Sequence, residues 1–132
     1  MKVIAVDYGS ARTGVAVSDA TGTIARPLGV VERAGGEAGL NRLVELIRAE
    51  EAERVVVGLP LTLRGERGAQ AQETETFVEA LRAAVDVPVE SFDERFTTGL
   101  AASVGSDEAP EDARAAAHLL SSYLEWSSAG RE

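Results

Sequence analysis

Short apolar runs rich in β-branched residues alternate along this chain with longer stretches whose apolar positions recur every three or four residues. Residues 2 to 8 form the first run, which ends in Asp7-Tyr8-Gly9. A turn of small residues separates it from a second run, Gly14-Val15-Ala16-Val17-Ser18-Asp19, and the pair predicts a hairpin. Thr21-Gly22 marks another turn, followed by Thr23 to Glu32 with Ile24, Leu28, Val30 and Val31. Pro27 inside that segment predicts an edge strand, because proline has no N–H to give to a ladder.

The period then changes. From Gly36 onward, Leu40, Leu43, Val44 and Ile47 share one helical face, while Asn41, Arg42, Glu45 and Arg48 take the other. Arg54-Val55-Val56-Val57-Gly58 is an uninterrupted apolar run, the pattern of a parallel strand buried on both faces. A polar, glycine-containing loop from Leu59 to about Gly68 leads to a second helix through Phe77, Val78, Leu81 and Val85. A short strand over Val87-Pro88-Val89-Glu90-Ser91-Phe92 runs into Asp93. The last helix starts near Pro110, with Ala113, Ala116, Ala117, Leu120 and Leu124 along one stripe. The order βββαβαβα predicts an α/β fold, a five-stranded mixed sheet with helices packed on its faces, in a single domain over residues 1–132. Gly99 to Glu111 and the tail from about residue 127 are the segments expected to be mobile.

Composition narrows the chemistry. Apolar residues make up 45% of 132 residues, enough for one core, and no apolar run approaches the roughly 20 residues that cross a bilayer. The opening Met1-Lys2-Val3-Ile4-Ala5-Val6 is broken by Asp7 before it forms a signal-peptide core, so a cytoplasmic protein is expected. With no cysteine, disulfides, a thiol nucleophile and a cysteine zinc site are excluded, and any metal is held mainly by oxygen. The net charge of -9 opposes non-specific attraction to nucleic acid, which depends on Lys and Arg neutralising phosphates. Yet the basic residues are almost all arginine, the better bidentate phosphate ligand, and Arg12, Arg64, Arg67, Arg95 and Arg114 lie in or beside the motifs that follow.

Three places carry candidate acids. Asp7 ends the opening strand, in a turn where Gly9 and Gly14 permit close approach of a phosphate; an ordinary turn aspartate is the competing reading. Asp93-Glu94-Arg95 follows the last strand, at the sheet edge where open α/β folds bind ligands; a helix N-cap or a solvated charge cluster, with Thr97 and Thr98 capping the next turn, is the alternative. Asp112 opens the last helix, where the helix dipole favours an acid whatever its function. Together the acids match the need of a two-metal phosphodiesterase for several oxygen ligands around cations roughly 4 Å apart. His118, the only histidine, reads as a surface or packing residue, as do Tyr123 and Trp126 on one helix face.

Asp7-Tyr8-Gly9 with Arg12, Gly14 to Asp19, Val56-Val57-Gly58-Leu59-Pro60-Leu61, Asp93-Glu94-Arg95-Phe96-Thr97-Thr98, and Asp112 with Ala115-Ala116 through Ser122-Tyr123-Leu124 resemble the successive motifs of the YqgF/RuvX family over almost the whole chain. The resemblance implies a ribonuclease-H-like fold. It places Asp7, Asp93 or its neighbour Glu94, and Asp112 at the acidic, metal-holding site, with Asp93 favoured as nearer the strand. It further implies a Mg²⁺- or Mn²⁺-dependent endonuclease acting in 5′-end maturation of pre-16S rRNA, with Holliday-junction resolution as a related activity. Arg12, Arg64, Arg67 and Arg95 are the expected nucleic-acid contacts. The expected partner is pre-16S rRNA or branched DNA rather than a membrane, and the expected state is a monomer or weak homodimer.

The chain departs from the family where a basic run often precedes the last aspartate; here the segment reads Ser106-Asp107-Glu108-Ala109-Pro110-Glu111. Two other functions compete. A non-catalytic nucleic-acid-binding factor in ribosome maturation fits the acidic charge and the missing basic run. A phosphotransfer protein of the actin and sugar-kinase type shares the Asp-x-Gly turn, but such proteins enclose a nucleotide between two domains and 132 residues supply one.

Overall fold

The opening run does become a strand, and it lies in the middle of the sheet. β1 (Val3–Asp7) pairs antiparallel with β2 (Arg12–Ser18), which pairs antiparallel with β3 (Ala25–Glu32). On its other side β1 pairs in parallel with β4 (Arg54–Leu59), and β4 in parallel with β5 (Val89–Asp93). The resulting five-stranded mixed sheet has the order β3-β2-β1-β4-β5. The helices are α1 (Glu37–Ala49), α2 (Ala69–Ala84) and α3 (Glu111–Ser128), and a 3-10 turn over Glu94–Phe96 follows β5. This computed structural model describes residues 1–62, 64–96 and 109–128. Thr97, Thr98, most of Gly99 to Glu111 and the end of the tail lie outside the described residues.

The apolar patterns sort onto two faces as strand alternation requires. Ile4 and Val6, Val15 and Val17, Val55 and Val57 pack with Leu43, Val44 and Ile47 of α1 and Phe77, Val78 and Leu81 of α2. Val3 and Ala5, Ala16, Val56 and Phe92 pack instead against Ala116, Ala117, Leu120 and Tyr123 of α3. Because β1 and β4 are covered on both faces, their sequences are continuous apolar runs. Pro27 lies on the edge strand β3, opposite Ala16, where the β2 register shifts. Tyr123 is buried edge-on against Phe92, with ring centroids 5.5 Å apart, and Trp126 tilts over the same ring at 5.3 Å.

Several boundaries moved: β2 begins at Arg12 instead of Gly14 and β3 at Ala25 instead of Thr23. β5 begins at Val89 instead of Val87, since Asp86 to Pro88 form the connection from α2. The second helix ends at Ala84, because Val85 is already extended, although its N–H still donates to the Leu81 carbonyl. Among the described residues no helix is long and apolar enough to cross a membrane.

Candidate active site

At the carboxyl edge of the sheet, the face turned to α3 carries a row of four residues from four neighbouring elements. Val3 and Ala5 face α3, so Asp7, two residues further on, faces it too. Its antiparallel partner on β2 is Gly14. On β4, Val56 faces α3 and so does Gly58, which pairs with Phe92 of β5. Phe92 also faces α3, so Asp93 points to the opposite side, and the turn after it returns Glu94 to the α3 side. A β-carbon built on Gly58 would lie 2.7 Å from Glu94 Oε2 and 3.1 Å from a Leu119 methyl, so the absence of a side chain there makes room for the Glu94 carboxylate.

Gly14 acts differently. A β-carbon there would stand 1.8 Å from the Asp112 carbonyl oxygen, so its bare backbone lets the first turn of α3 press on β2. That contact carries Asp112 to the site, where its Oδ2 lies 3.0 Å from Arg12 Nε. Between these elements is a pocket of about 260 Å³ lined by Asp7, Glu94, Ala115, His118 and Leu119.

The acids differ sharply in electrostatic state. Burial first, and then the Asp112 charge, raise the Asp7 pKa. Glu94 is also raised, first by burial, then by Asp7 and Asp93. Neither has a cation partner among the described residues. Asp93, by contrast, is held below the usual carboxylate range by hydrogen bonds from Arg95. Arg95 Nη2 donates to Asp93 Oδ2 at 2.6 Å, its Nε bridges both oxygens at 3.0 and 3.1 Å, and its backbone N–H donates at 2.9 Å.

The structure therefore gathers Asp7 and Glu94 in one pocket, brings Asp112 to its margin, and turns Asp93 into a clasp for Arg95. Among the described residues no three His, Asp or Glu side chains close into a ready-made metal cage, and Asp112 is engaged by Arg12. The donor chemistry of the pocket nevertheless fits a hard divalent cation: two carboxylates repel each other across a cavity, and bringing an oxygen-liganded cation between them would relieve that repulsion.

The arginines surround the same edge. Arg95 packs its guanidinium 3.2 Å from the position of a β-carbon on Gly65, which joins it to the loop bearing Arg64 and Arg67. Arg67 pairs with Glu75 at 3.2 Å, while Arg64 is exposed without an ion pair among the described residues. Arg114 is half-buried on α3, its Nε without a hydrogen-bond partner.

Two features of the pocket escape a reading of motifs alone. Glu94 is the acid that faces Asp7, and the signal for it was the period-two alternation passing through Phe92. His118 lines the pocket instead of the outer surface of α3, with Ala115 three residues before it and Leu119, seven after Asp112, beside it.

Known proteins resemble the chain in both sequence and fold. The family model described as "RuvX: Holliday junction resolvase" matches residues 1–126. A protein of Chloroflexus aurantiacus is 40% identical over 131 residues, spanning 93% of this chain and 86% of the relative. One from Desulforudis audaxviator is 39% identical, spanning 99% of each chain, and both carry the name "Putative pre-16S rRNA nuclease". Among solved structures, T. thermophilus RuvC in complex with a Holliday junction substrate superposes with a TM-score of 0.69 at 18% identity, covering 98% of this chain and 96% of that one. The Fowlpox virus resolvase bound to Holliday junction DNA gives 0.52 at 12% identity, covering 97% and 96%. These likenesses identify the sheet and its helices as the ribonuclease-H-like fold expected from the motifs. With the family model matched over nearly its full length, the chain belongs to the RuvX family.

Proposed function

We propose that this chain is an endonuclease that hydrolyses phosphodiester bonds with the help of Mg²⁺ or Mn²⁺, in 5′-end maturation of pre-16S rRNA in the cytoplasm, as a single domain. The observation that carries the reading is the Asp7–Glu94 pocket: two carboxylates raised by burial and then by neighbouring acids, Asp112 for Asp7 and Asp7 with Asp93 for Glu94, at the carboxyl edge of the sheet, without a cation partner among the described residues. Asp7 and Glu94 are the residues that would hold the metal, with Asp112 joining them on release from Arg12. Such a cation, when bound, supplies Lewis acidity and charge screening at phosphorus.

The chain's own residues do the rest. Asp7 is held by a central strand paired on both sides, which fixes its position against the substrate. Asp93 serves as a positioning residue, holding Arg95 beside the loop of Arg64 and Arg67, where guanidinium groups can take the phosphates flanking the cut. Arg12, at the start of β2, is placed to exchange Asp112 for a substrate phosphate. A monomer or weak homodimer is sufficient for this arrangement, since every named group comes from one chain.

Branched DNA is a second reading, favoured by the family model's description and by the RuvC-like fold. Both are tested by incubating the purified chain and an Asp7→Asn variant with a labelled pre-16S 5′ leader and a four-way DNA junction, in Mn²⁺, Mg²⁺ or chelator. Cleavage that needs metal and disappears in the variant supports the acid-pocket mechanism, and the substrate cut distinguishes RNA maturation from junction resolution. Binding without cleavage of either substrate replaces the nuclease with a non-catalytic ribosome maturation factor.

A further inference from the structure

We propose that His118 is a substrate-binding residue of this pocket, holding the phosphate of the bound nucleic acid through its imidazole N–H. The inference rests on the nuclease or nucleic-acid-binding reading above and deepens it. His118 lies on the second turn of α3, half-buried, lining the same cavity as Asp7 and Glu94. Its ring makes no hydrogen bond or ion pair among the described residues, so nothing within the described fold uses it. The other described residues lining the cavity are two carboxylates, which in their charged form only accept hydrogen bonds, and the apolar Ala115 and Leu119.

A phosphate approaching Asp7 and Glu94 meets like charge, and its oxygens are acceptors as well. Among the described residues lining the pocket, His118 is the one side chain that can donate to them in either protonation state, since a neutral imidazole still carries one N–H. The pocket is also roomy enough for a phosphate beside solvent, at about 260 Å³ against ~30 Å³ for each liquid water. A packing role alone leaves the geometry unexplained: the ring borders the cavity that holds the Asp7 and Glu94 carboxylates, while the apolar stripe of α3, Ala116, Ala117, Leu120 and Tyr123, faces the sheet.

The test uses the full chain with His118→Leu, which keeps a side chain of similar bulk without a donor, and His118→Gln, which restores one. Two quantities are measured: affinity for a labelled pre-16S leader and a labelled four-way junction in Ca²⁺, and the single-turnover cleavage rate in Mn²⁺, with thermal melts confirming that each variant is folded. About a tenfold loss in affinity or rate in His118→Leu, with partial recovery in His118→Gln, is expected for one hydrogen bond to a charged group. If His118→Leu matches the parent chain in both affinity and rate, the proposal is overturned, as it is if the glutamine variant recovers nothing. Failure of the nuclease reading shows separately, as absence of cleavage by the parent chain, and the affinity comparison then decides on His118.

Discussion

Glu94→Gln and Asp93→Asn remove the same charge from adjacent positions, and the structure predicts different consequences. Glu94 faces Asp7 across the pocket, so its amide variant should lose metal-dependent cleavage by about 100-fold or more. Asp93 is the clasp of Arg95, so Asp93→Asn should act mainly by weakening nucleic-acid binding, with a smaller fall in the rate at saturating substrate. Initial rates over a range of substrate concentrations separate the two, and equal losses at saturation would show that Asp93 belongs among the reacting groups. The raised pKa values of Asp7 and Glu94 also fix the sign of a stability effect. Protons bind these groups more tightly in the folded chain than in the unfolded one, so the stability they confer is complete below the ordinary carboxylate range. It is lost as pH rises through the elevated values. Asp7→Asn should therefore melt at a higher temperature than the parent at pH 7, with the gap closing towards about pH 4. A lower melting temperature for the variant at pH 7 would contradict the electrostatic account of the pocket.

The elements meet at two glycines whose replacement should behave oppositely. In Gly14→Ala the new methyl meets the Asp112 carbonyl, part of the α3 backbone, which moves only by lifting the helix from β2. A loss of about 1–3 kcal/mol in a denaturant melt is expected, and more if α3 separates further. In Gly58→Ala the methyl meets the end of the Glu94 side chain, which can swing away. Stability should then change by less than about 1 kcal/mol while cleavage falls, because the displaced carboxylate is the one that faces Asp7. Should Gly58→Ala unfold the chain while Gly14→Ala is tolerated, the assignment of these two contacts is wrong. Most element positions were legible from periodicity. The ends were less so: Val85 continues the apolar stripe of α2 but is already extended, because the stripe cannot tell a last helical turn from the strand approach that follows it.

Across the whole molecule, a net charge of -9 leaves nucleic-acid affinity to local arginines. Arg64 is exposed in the loop after β4, next to Gly65 where the Arg95 guanidinium packs, and has no ion pair among the described residues, so Arg64→Ala should make the slope of log affinity against log salt shallower by about 0.7 on single-stranded RNA. An unchanged slope would place the RNA elsewhere. A divalent cation between Asp7 and Glu94 should also stabilise the fold by mass action, about 2.7 kcal/mol at a hundredfold excess over its dissociation constant, and Asp7→Asn should lose most of that gain. Melting curves in Mn²⁺ against chelator measure it, and an equal Mn²⁺ shift in the variant would move the cation site away from Asp7.

Local patterns along the chain were sufficient for the order of elements, the double burial of β4, the edge placement of Pro27 and the acids that end β1 and open α3. Each of these follows from periodicity of two or 3.6 residues, from proline's missing donor, or from motif order, all of which are properties of neighbours in sequence. Which of Asp93 and Glu94 faces Asp7, and that His118 shares their pocket, was decided by tertiary structure. The turn after β5 sets the direction of Glu94, Gly58 clears the space it enters, and contact at Gly14 docks α3 so that its second turn overhangs the sheet edge. Alternation through Phe92 points Glu94 to the α3 side, but the space at Gly58 and the docking of α3 at Gly14 join residues far apart in sequence, and no spacing rule along the chain encodes them.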